Sequence, residues 1–237
     1  MRYATRYRSK TGRWIVFAFC TAPLLVLGAG WVSARDSVVS TVHNLSSTGP
    51  GEVRSLDEKQ VCKFCHIPHN EVSVQPLWAR PLSQATYEVP DLRSSGVASP
   101  APQPDGSSRL CLSCHDGTIA LGESRRGGRG ASMVGFSRLS PGRRGFIGTD
   151  LSGHHPISFV LPEGDRVENG LSDSDMTLNS LQAIRADREV KIDAEGKMQC
   201  NSCHDPHSDN NYVPDRVPRF WVKKTVDEVC LTCHIPR

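Results

Sequence analysis

The chain has 237 residues, and its 38% hydrophobic and 6% aromatic content is low for a domain of this length, which argues against a conventional large apolar core. The net charge of +3 is small, so the composition gives no indication of nucleic acid binding. Nine Cys and nine His are the unusual feature, and they favour attachment of a metal or cofactor.

The first 34 residues have the pattern of a secretory signal peptide. Five basic residues and no acidic residue accompany an apolar run over 14–31, and Val32-Ser33-Ala34 offers small residues that suit signal peptidase. We therefore predict a signal peptide over 1–34 and an exported mature chain over 35–237, with 23 basic and 25 acidic residues. The alternative is a retained membrane anchor, because the apolar run is close to the minimum length for spanning a bilayer.

All cysteines after the signal peptide fall into four copies of C-x-x-C-H. Two thiols three residues apart lie on one side of a helical turn, where both can form thioethers with the vinyl groups of one haem. The histidine that follows then faces the iron as an axial ligand. The predicted attachment pairs are Cys62 and Cys65, Cys111 and Cys114, Cys200 and Cys203, and Cys230 and Cys233, and the predicted iron ligands are His66, His115, His204 and His234.

Two other uses of C-x-x-C pairs are known. Two pairs can build a four-cysteine zinc site, and each pair can instead form a disulfide in a small secreted scaffold. Neither use requires a histidine directly after every second cysteine, whereas covalent haem does. The sequence therefore predicts four haem c groups.

Five further histidines can supply the second axial ligands of four irons: His43, His69, His154, His155 and His207. This supply predicts that every iron has a histidine on both sides. His69 and His207 stand in matching Cys-His-x-Pro-His settings, where the proline turns the chain away and directs the second histidine towards a neighbouring haem. We predict His43, His69, His155 and His207 as ligands, with His154 as the alternative to His155.

The motifs divide the mature chain into haems 1 and 2 over 62–115, a connecting segment over 116–199, and haems 3 and 4 over 200–234. About 51 residues per haem are too few to bury each cofactor in its own domain. The 20 Gly and 16 Pro favour short helices between long loops. We therefore predict a multihaem cytochrome c fold, mostly coil with short α-helices and a small β-hairpin, whose core is formed by stacked haems.

Two regular elements are predicted in the connecting segment. Apolar residues at helical spacing predict a helix over 173–188, capped by Ser172. Alternating residues over 190–192 and 197–199, around a turn at 193–196, predict a β-hairpin that leads into Cys200. Trp78 and Trp221 are predicted to pack against haem.

The chain resembles the tetrahaem members of the doubled C-x-x-C-H family of multihaem c-type cytochromes, which is related to the cytochrome c3 class. The resemblance runs from His43 to His234, and it departs from the family pattern in the doubled His154-His155. It implies closely packed bis-His haems that carry electrons in the periplasm or outside the cell. Some similar cytochromes form extracellular filaments in which one subunit's histidine completes a haem of the next, and His43 or His69 would be the candidate for that role here. The segments that carry the resemblance are HNLSSTGPG at 43–51, VCKFCHIPHN at 61–70, CLSCHDGTIALG at 111–122, GTDLSGHHPISF at 148–159 and CNSCHDPH at 200–207.

The predicted function is electron transfer by low-potential bis-His haems, with no enzymatic reaction. The expected partners are redox proteins, notably other multihaem cytochromes, with self-assembly into a conductive filament as a further role. Nucleic acid is not expected as a partner, and a membrane only through an uncleaved signal segment. The alternative function is a multihaem reductase with one open haem site.

Overall fold

The computed structural model describes residues 37–67, 77–91, 101–124, 130–161 and 176–236. All of these belong to one compact unit, Arg35–Arg237. The predicted signal peptide and His69 lie outside the described residues. Within the described ranges, no helix combines the length and the apolar character needed to cross a membrane.

The helices of the described ranges are short, and most of them carry a C-x-x-C-H motif. The first motif begins in a 3-10 helix, Val61–Phe64, and another 3-10 helix spans Val38–Ser40. The helices Cys200–Cys203 and Val226–Cys233 both begin with a capping box, which satisfies backbone N–H groups that have no partner within the helix. The α-helices are α1 at Gly106–His115, α2 at Leu181–Ala186, α3 at Cys200–Cys203 and α4 at Val226–Cys233.

Two antiparallel two-stranded sheets join parts of the chain that are distant in sequence. Strand β1, Arg54–Ser55, pairs with β2, Met133–Val134. Strand β3, Met176–Leu178, pairs with β4, His234–Pro236, which begins at the histidine of the fourth motif. The second sheet therefore joins the connecting segment to the last haem-attachment site.

The predicted helix over 173–188 is wrong in its first half. Ser172 lies outside the described residues, and Met176–Leu178 forms β3 because it pairs with β4. The helix begins only at Leu181, with the Ser180 hydroxyl accepting a hydrogen bond from the Ala183 N–H at 3.2 Å. Pairing between distant segments thus overrides the helical spacing of the apolar residues.

The hairpin predicted over 190–199 is also wrong, although its turn is present. The Asp193 N–H donates to the Lys197 carbonyl at 3.2 Å, and Gly196 adopts the positive φ of 83° that this turn requires. Beyond the turn, however, Lys197 forms an isolated bridge with Val160, and the Met198 N–H donates to the Phe159 carbonyl at 3.1 Å. Residues 159–160 have therefore taken the place of 190–192 as the pairing partner of residues 197–198.

The buried apolar side chains of the described residues form two small clusters rather than one large core. One contains Leu161, Leu181, Ile184, Val190 and Val229, and the other Tyr87, Leu112 and Leu151. The prediction of a mostly coil chain with short helices is confirmed, whereas two two-stranded sheets between distant segments stand in place of the predicted β-hairpin. The core of stacked haems stays a prediction.

Candidate functional site

Short helical segments present the eight motif thiols, as the spacing predicts. Each pair lies within one turn of helix or directly at its end, and all eight thiols are free. Cys62 and Cys230 are exposed, whereas the other six are partly buried. Disulfides, one alternative use of these pairs, are therefore not formed.

Attachment sites that follow one another along the chain also lie side by side. Burial and then the neighbouring Cys114 thiol raise the pKa of Cys65 to about 12. The Cys111 and Cys200 thiols interact directly, which raises the pKa of Cys111 and lowers that of Cys200.

The last two motifs adjoin in the same way. Burial and then the Cys233 thiol raise the pKa of Cys203 to about 12. The four sites thus adjoin in the order first, second, third and fourth, so groups attached to them would be neighbours in that order.

Gln199 holds the second and third sites together. Its side chain is 1% exposed, and its Oε1 accepts hydrogen bonds from Ser108 at 2.5 Å and from Ser158 at 3.0 Å. Its Nε2 donates to Asp105 and to Asp193, both at 3.0 Å. This buried network connects the start of α1 to the start of α3.

A direct contact reinforces the junction between these two helices. The Ser108 hydroxyl, besides donating to Gln199, accepts a hydrogen bond from the Cys200 N–H at 3.0 Å. Ser107 donates to the Asn201 side chain at 2.6 Å. The first two residues of α3, Cys200 and Asn201, are therefore both hydrogen-bonded to α1, which supports the contact between Cys111 and Cys200.

Three of the motif histidines each face a second histidine. The ring centre of His43 lies 6.0 Å from that of His115. His66 and His207 are 6.1 Å apart, with nearly parallel rings at 17°. The third pair, His155 and His234, is separated by 6.2 Å.

These separations fit two imidazoles on opposite sides of one metal ion. A coordinating nitrogen lies about 2.0 Å from a metal and about 1.1 Å from its own ring centre, which places two opposed ring centres about 6.2 Å apart. The observed values of 6.0–6.2 Å agree with this expectation. The residues present therefore fit an iron held between two histidines at three of the four sites.

Hydrogen bonds also set the tautomer of several rings. The Nδ1 atoms of His43, His115, His155 and His204 lie 2.5–3.2 Å from backbone carbonyl oxygens. A carbonyl only accepts, so Nδ1 carries the proton and the Nε2 lone pair remains for a metal. This is the arrangement that a metal-binding imidazole needs.

Burial keeps several of these rings neutral. It lowers the pKa of His43 to about 4, and it lowers the pKa of His115, His204 and His234 below the ordinary value for histidine. Neutral imidazole is the form that binds iron, because the protonated ring has no free lone pair. These histidines can therefore bind a metal at neutral pH without first losing a proton.

The first and third motifs share a local structure that extends beyond C-x-x-C-H. His66 forms an antiparallel bridge with Trp78, and His204 forms the same bridge with Trp221. Each tryptophan ring stands edge-on against its histidine, with centres 6.0 and 5.1 Å apart. In both cases the residue before the tryptophan has a positive φ, 61° at Leu77 and 63° at Phe220.

Backbone hydrogen bonds repeat in the two copies as well. The residue after the motif histidine donates to the residue before the tryptophan, from Ile67 to Leu77 at 2.7 Å and from Asp205 to Phe220 at 2.7 Å. These two parts of the chain therefore form an internal structural repeat. In the sequence, His69 follows the first motif at the same spacing as His207 follows the third.

The predicted second ligands differ in where they lie. His43, His155 and His207 each adjoin a motif histidine, as described above. His154 is exposed, and among the described residues its ring has no histidine partner. His69 lies outside the described residues, and iron ligation itself stays a prediction at all sites.

Sequence reasoning missed two buried polar residues next to the motifs. Gln199 directly precedes Cys200, and Arg80 is buried beside the first two sites. Neither residue belongs to a motif, and polar residues of these types are usually exposed, so their burial carries no local sequence signal.

A comparison with known protein families supports the third and fourth C-x-x-C-H motifs. The family profile described as the doubled CXXCH motif matches residues 194–236, which contain the third and fourth motifs. No curated protein matches the chain. The paired motifs imply covalently bound haem c and, together with this match, support a multihaem c-type cytochrome involved in electron transfer.

Proposed function

We propose that the protein is a tetrahaem electron-transfer cytochrome in which each iron has a histidine on both sides. The three histidine pairs with ring centres 6.0–6.2 Å apart are the observation that carries this proposal. When bound, haem c supplies reversible one-electron exchange at its iron, and no bond is made or broken. The cysteines fix its position, and the paired histidines leave no open coordination site.

The three pairs support an assignment of three of the four second ligands. In this proposal His207 serves the site of His66, His43 that of His115, and His155 that of His234. For His204 we propose His69, because His69 follows the first motif at the same spacing as His207 follows the third. The first and third sites would then exchange ligands, each receiving the histidine that follows the other motif.

Low-temperature EPR of the oxidised protein tests this ligand set. We expect four low-spin ferric irons in the wild-type protein, because a histidine on each side gives a strong ligand field. Intact mass should show four covalently bound haems. A high-spin signal equivalent to one iron in four would contradict the proposal.

Two matched variants test the assignment of His69. His69→Ala should convert one of the four irons to high spin, whereas His154→Ala should leave all four low-spin. Both changes remove a histidine outside the motifs, so they differ only in the proposed role. An unchanged spectrum for His69→Ala would refute the assignment.

Carbon monoxide binding tests the alternative of a reductase with an open haem. The site of His204 has no second histidine among the described residues. Carbon monoxide should not bind to the reduced wild-type protein if His69 completes this site. Saturable binding of one carbon monoxide per chain would favour the reductase.

We also propose export and a low-potential respiratory role. The basic and apolar N-terminal segment supports removal of a signal peptide and residence in the periplasm or outside the cell. Bis-His ligation favours lower potentials than His/Met ligation. Eight propionates would add negative charge to a mature chain of −2, so partners with basic faces, including other multihaem cytochromes, are favoured.

Assembly into a conductive filament remains part of the proposal. The resemblance to filament-forming cytochromes supports it, whereas His43, one candidate for reaching a neighbouring subunit, adjoins His115 in its own chain. Negative-stain electron microscopy of concentrated holoprotein tests assembly. Uniformly small particles at all concentrations would refute it.

A further inference from the structure

Arg80 is a buried cation without a carboxylate partner among the described residues. Its side chain is 1% exposed, and its two terminal nitrogens donate to backbone carbonyls. Nη1 bonds to Leu121 at 2.6 Å and Glu123 at 3.1 Å, and Nη2 bonds to Ala120 at 2.6 Å and Ser113 at 3.5 Å. Its Nε–H is buried with no acceptor. Carbonyl dipoles therefore hold the guanidinium in place but leave its full charge uncompensated.

This charge lies between the first two haem-attachment sites. The residue before Arg80, Ala79, donates a backbone hydrogen bond to Cys65 at 2.9 Å. On the other side, the Ser113 carbonyl that accepts from Arg80 belongs to the residue before Cys114. These two contacts place the Arg80 charge next to both attachment pairs.

The buried carboxylate of Asp116 follows the second motif directly but forms no ion pair with Arg80. Its Oδ1 accepts hydrogen bonds from the Thr118 N–H and hydroxyl, both at 2.8 Å. The carboxylate also accepts a hydrogen bond from the Tyr87 hydroxyl at 2.7 Å.

The last attachment site has a different electrostatic environment. Near Cys233, Lys223 is ion-paired with Asp187 at 2.5 Å. Asp187 and Lys223 both act electrostatically on Cys233, with opposite signs. The two halves of the chain therefore differ: the first pair of sites faces an uncompensated cation, whereas the last site faces an ion pair.

A buried positive charge stabilises the reduced state of a nearby iron, because reduction adds an electron in a region of low dielectric constant. We propose that Arg80 raises the reduction potentials of the haems attached at Cys65 and Cys114 above those of the two C-terminal haems. The inference rests on the proposed function. One electron would pass from a ferrous iron of the C-terminal pair, which becomes ferric, to a ferric iron of the N-terminal pair, which becomes ferrous, with no proton transferred.

A redox titration of the holoprotein, monitored by EPR and visible absorption, tests the role of Arg80. Arg80→Gln should lower the highest reduction potentials by at least about 59 mV, which corresponds to a tenfold change in the one-electron equilibrium constant. Arg80→Lys keeps a cation and should lower these potentials less. Arg138→Gln removes the same charge from an exposed position and serves as the control.

The order of haem reduction in the wild-type protein provides a second test that needs no variant. Haem methyl resonances, followed by NMR during stepwise reduction, should show the two N-terminal haems reduced before the two C-terminal haems. The opposite order would overturn the inference, as would identical titrations of Arg80→Gln and Arg138→Gln. Wild-type haem content and low-spin EPR test the proposed function separately, so the two failures are distinguishable.

Discussion

The imidazole rings at the candidate sites are oriented by the hydrogen bonds of their Nδ1 atoms. His43 is held most firmly, since its ring also stacks on Phe220 with centres 4.1 Å apart and planes at 11°. Its Nδ1 contacts the Pro206 carbonyl, which lies between the third motif and His207. A single residue of the N-terminal part thus depends on the position of the C-terminal part.

His207 differs from the other histidines in the group that accepts from it. Its Nδ1 lies 3.2 Å from the Asp205 carboxylate, whereas the other rings described above bond to neutral carbonyls. A carboxylate partner makes an imidazole a more basic ligand, which stabilises ferric iron and lowers the potential. The haem between His66 and His207 should therefore have a lower potential than the charge of Arg80 alone would give.

Asp205→Asn tests this role of the carboxylate. The amide oxygen can still accept from Nδ1, so ligation is kept, but the imidazole becomes less basic and one potential should rise. We expect a rise smaller than about 59 mV, the tenfold change expected for Arg80. A redox titration measures it, and Asp150→Asn is the control because Asp150 is exposed and accepts from Ser152 instead. A fall in potential, or no change, would contradict this role.

At the scale of elements, the junction of α1 and α3 is the contact on which the order of the sites depends. Gln199 connects the two helices through two hydroxyl donors and two carboxylate acceptors, and it is almost fully buried. Because buried polar groups that lose their partners remain desolvated, removing the amide affects all four neighbours together.

Gln199→Leu should lower the free energy of unfolding of the holoprotein by about 1–3 kcal/mol, the usual cost of leaving buried polar groups without partners. Chemical denaturation followed by far-UV circular dichroism measures the change. Gln84→Leu is the matched control, since Gln84 is exposed and its amide bonds only to the nearby Leu82 carbonyl. Equal stabilities of the two variants would show that the network does not hold the helices together.

The elements also show how far the sequence determines the site. The spacing of Cys and His predicts the helical turns that carry the motifs, because that pattern is local. It does not predict β3, whose residues have helical spacing but pair with His234–Pro236. Nor does it predict that His43 faces His115 or that His207 faces His66, since these contacts join residues far apart in the chain.

For the whole molecule, the contacts between the halves are mostly made by groups that belong to the candidate sites. The C-terminal His207 lies next to the N-terminal His66, and the Cys111 thiol contacts the Cys200 thiol. The Pro206 carbonyl accepts a hydrogen bond from His43 Nδ1. The apolar clusters are small, with five and three buried residues among those described. Covalent haem with paired axial ligands would connect the halves where apolar packing is sparse.

The chain without haem should therefore not fold cooperatively. A protein produced without its signal peptide, and so kept from haem attachment, would have to fold on two small clusters and the polar network around Gln199. Such cores rarely offset the conformational entropy of a chain of this length. We expect far-UV circular dichroism of a largely unfolded chain and no sharp thermal transition, whereas the holoprotein should show ordered structure and resist proteolysis. A cooperative transition in the haem-free chain would show that the polypeptide alone specifies the arrangement of the histidine pairs, and that haem enters a site already formed.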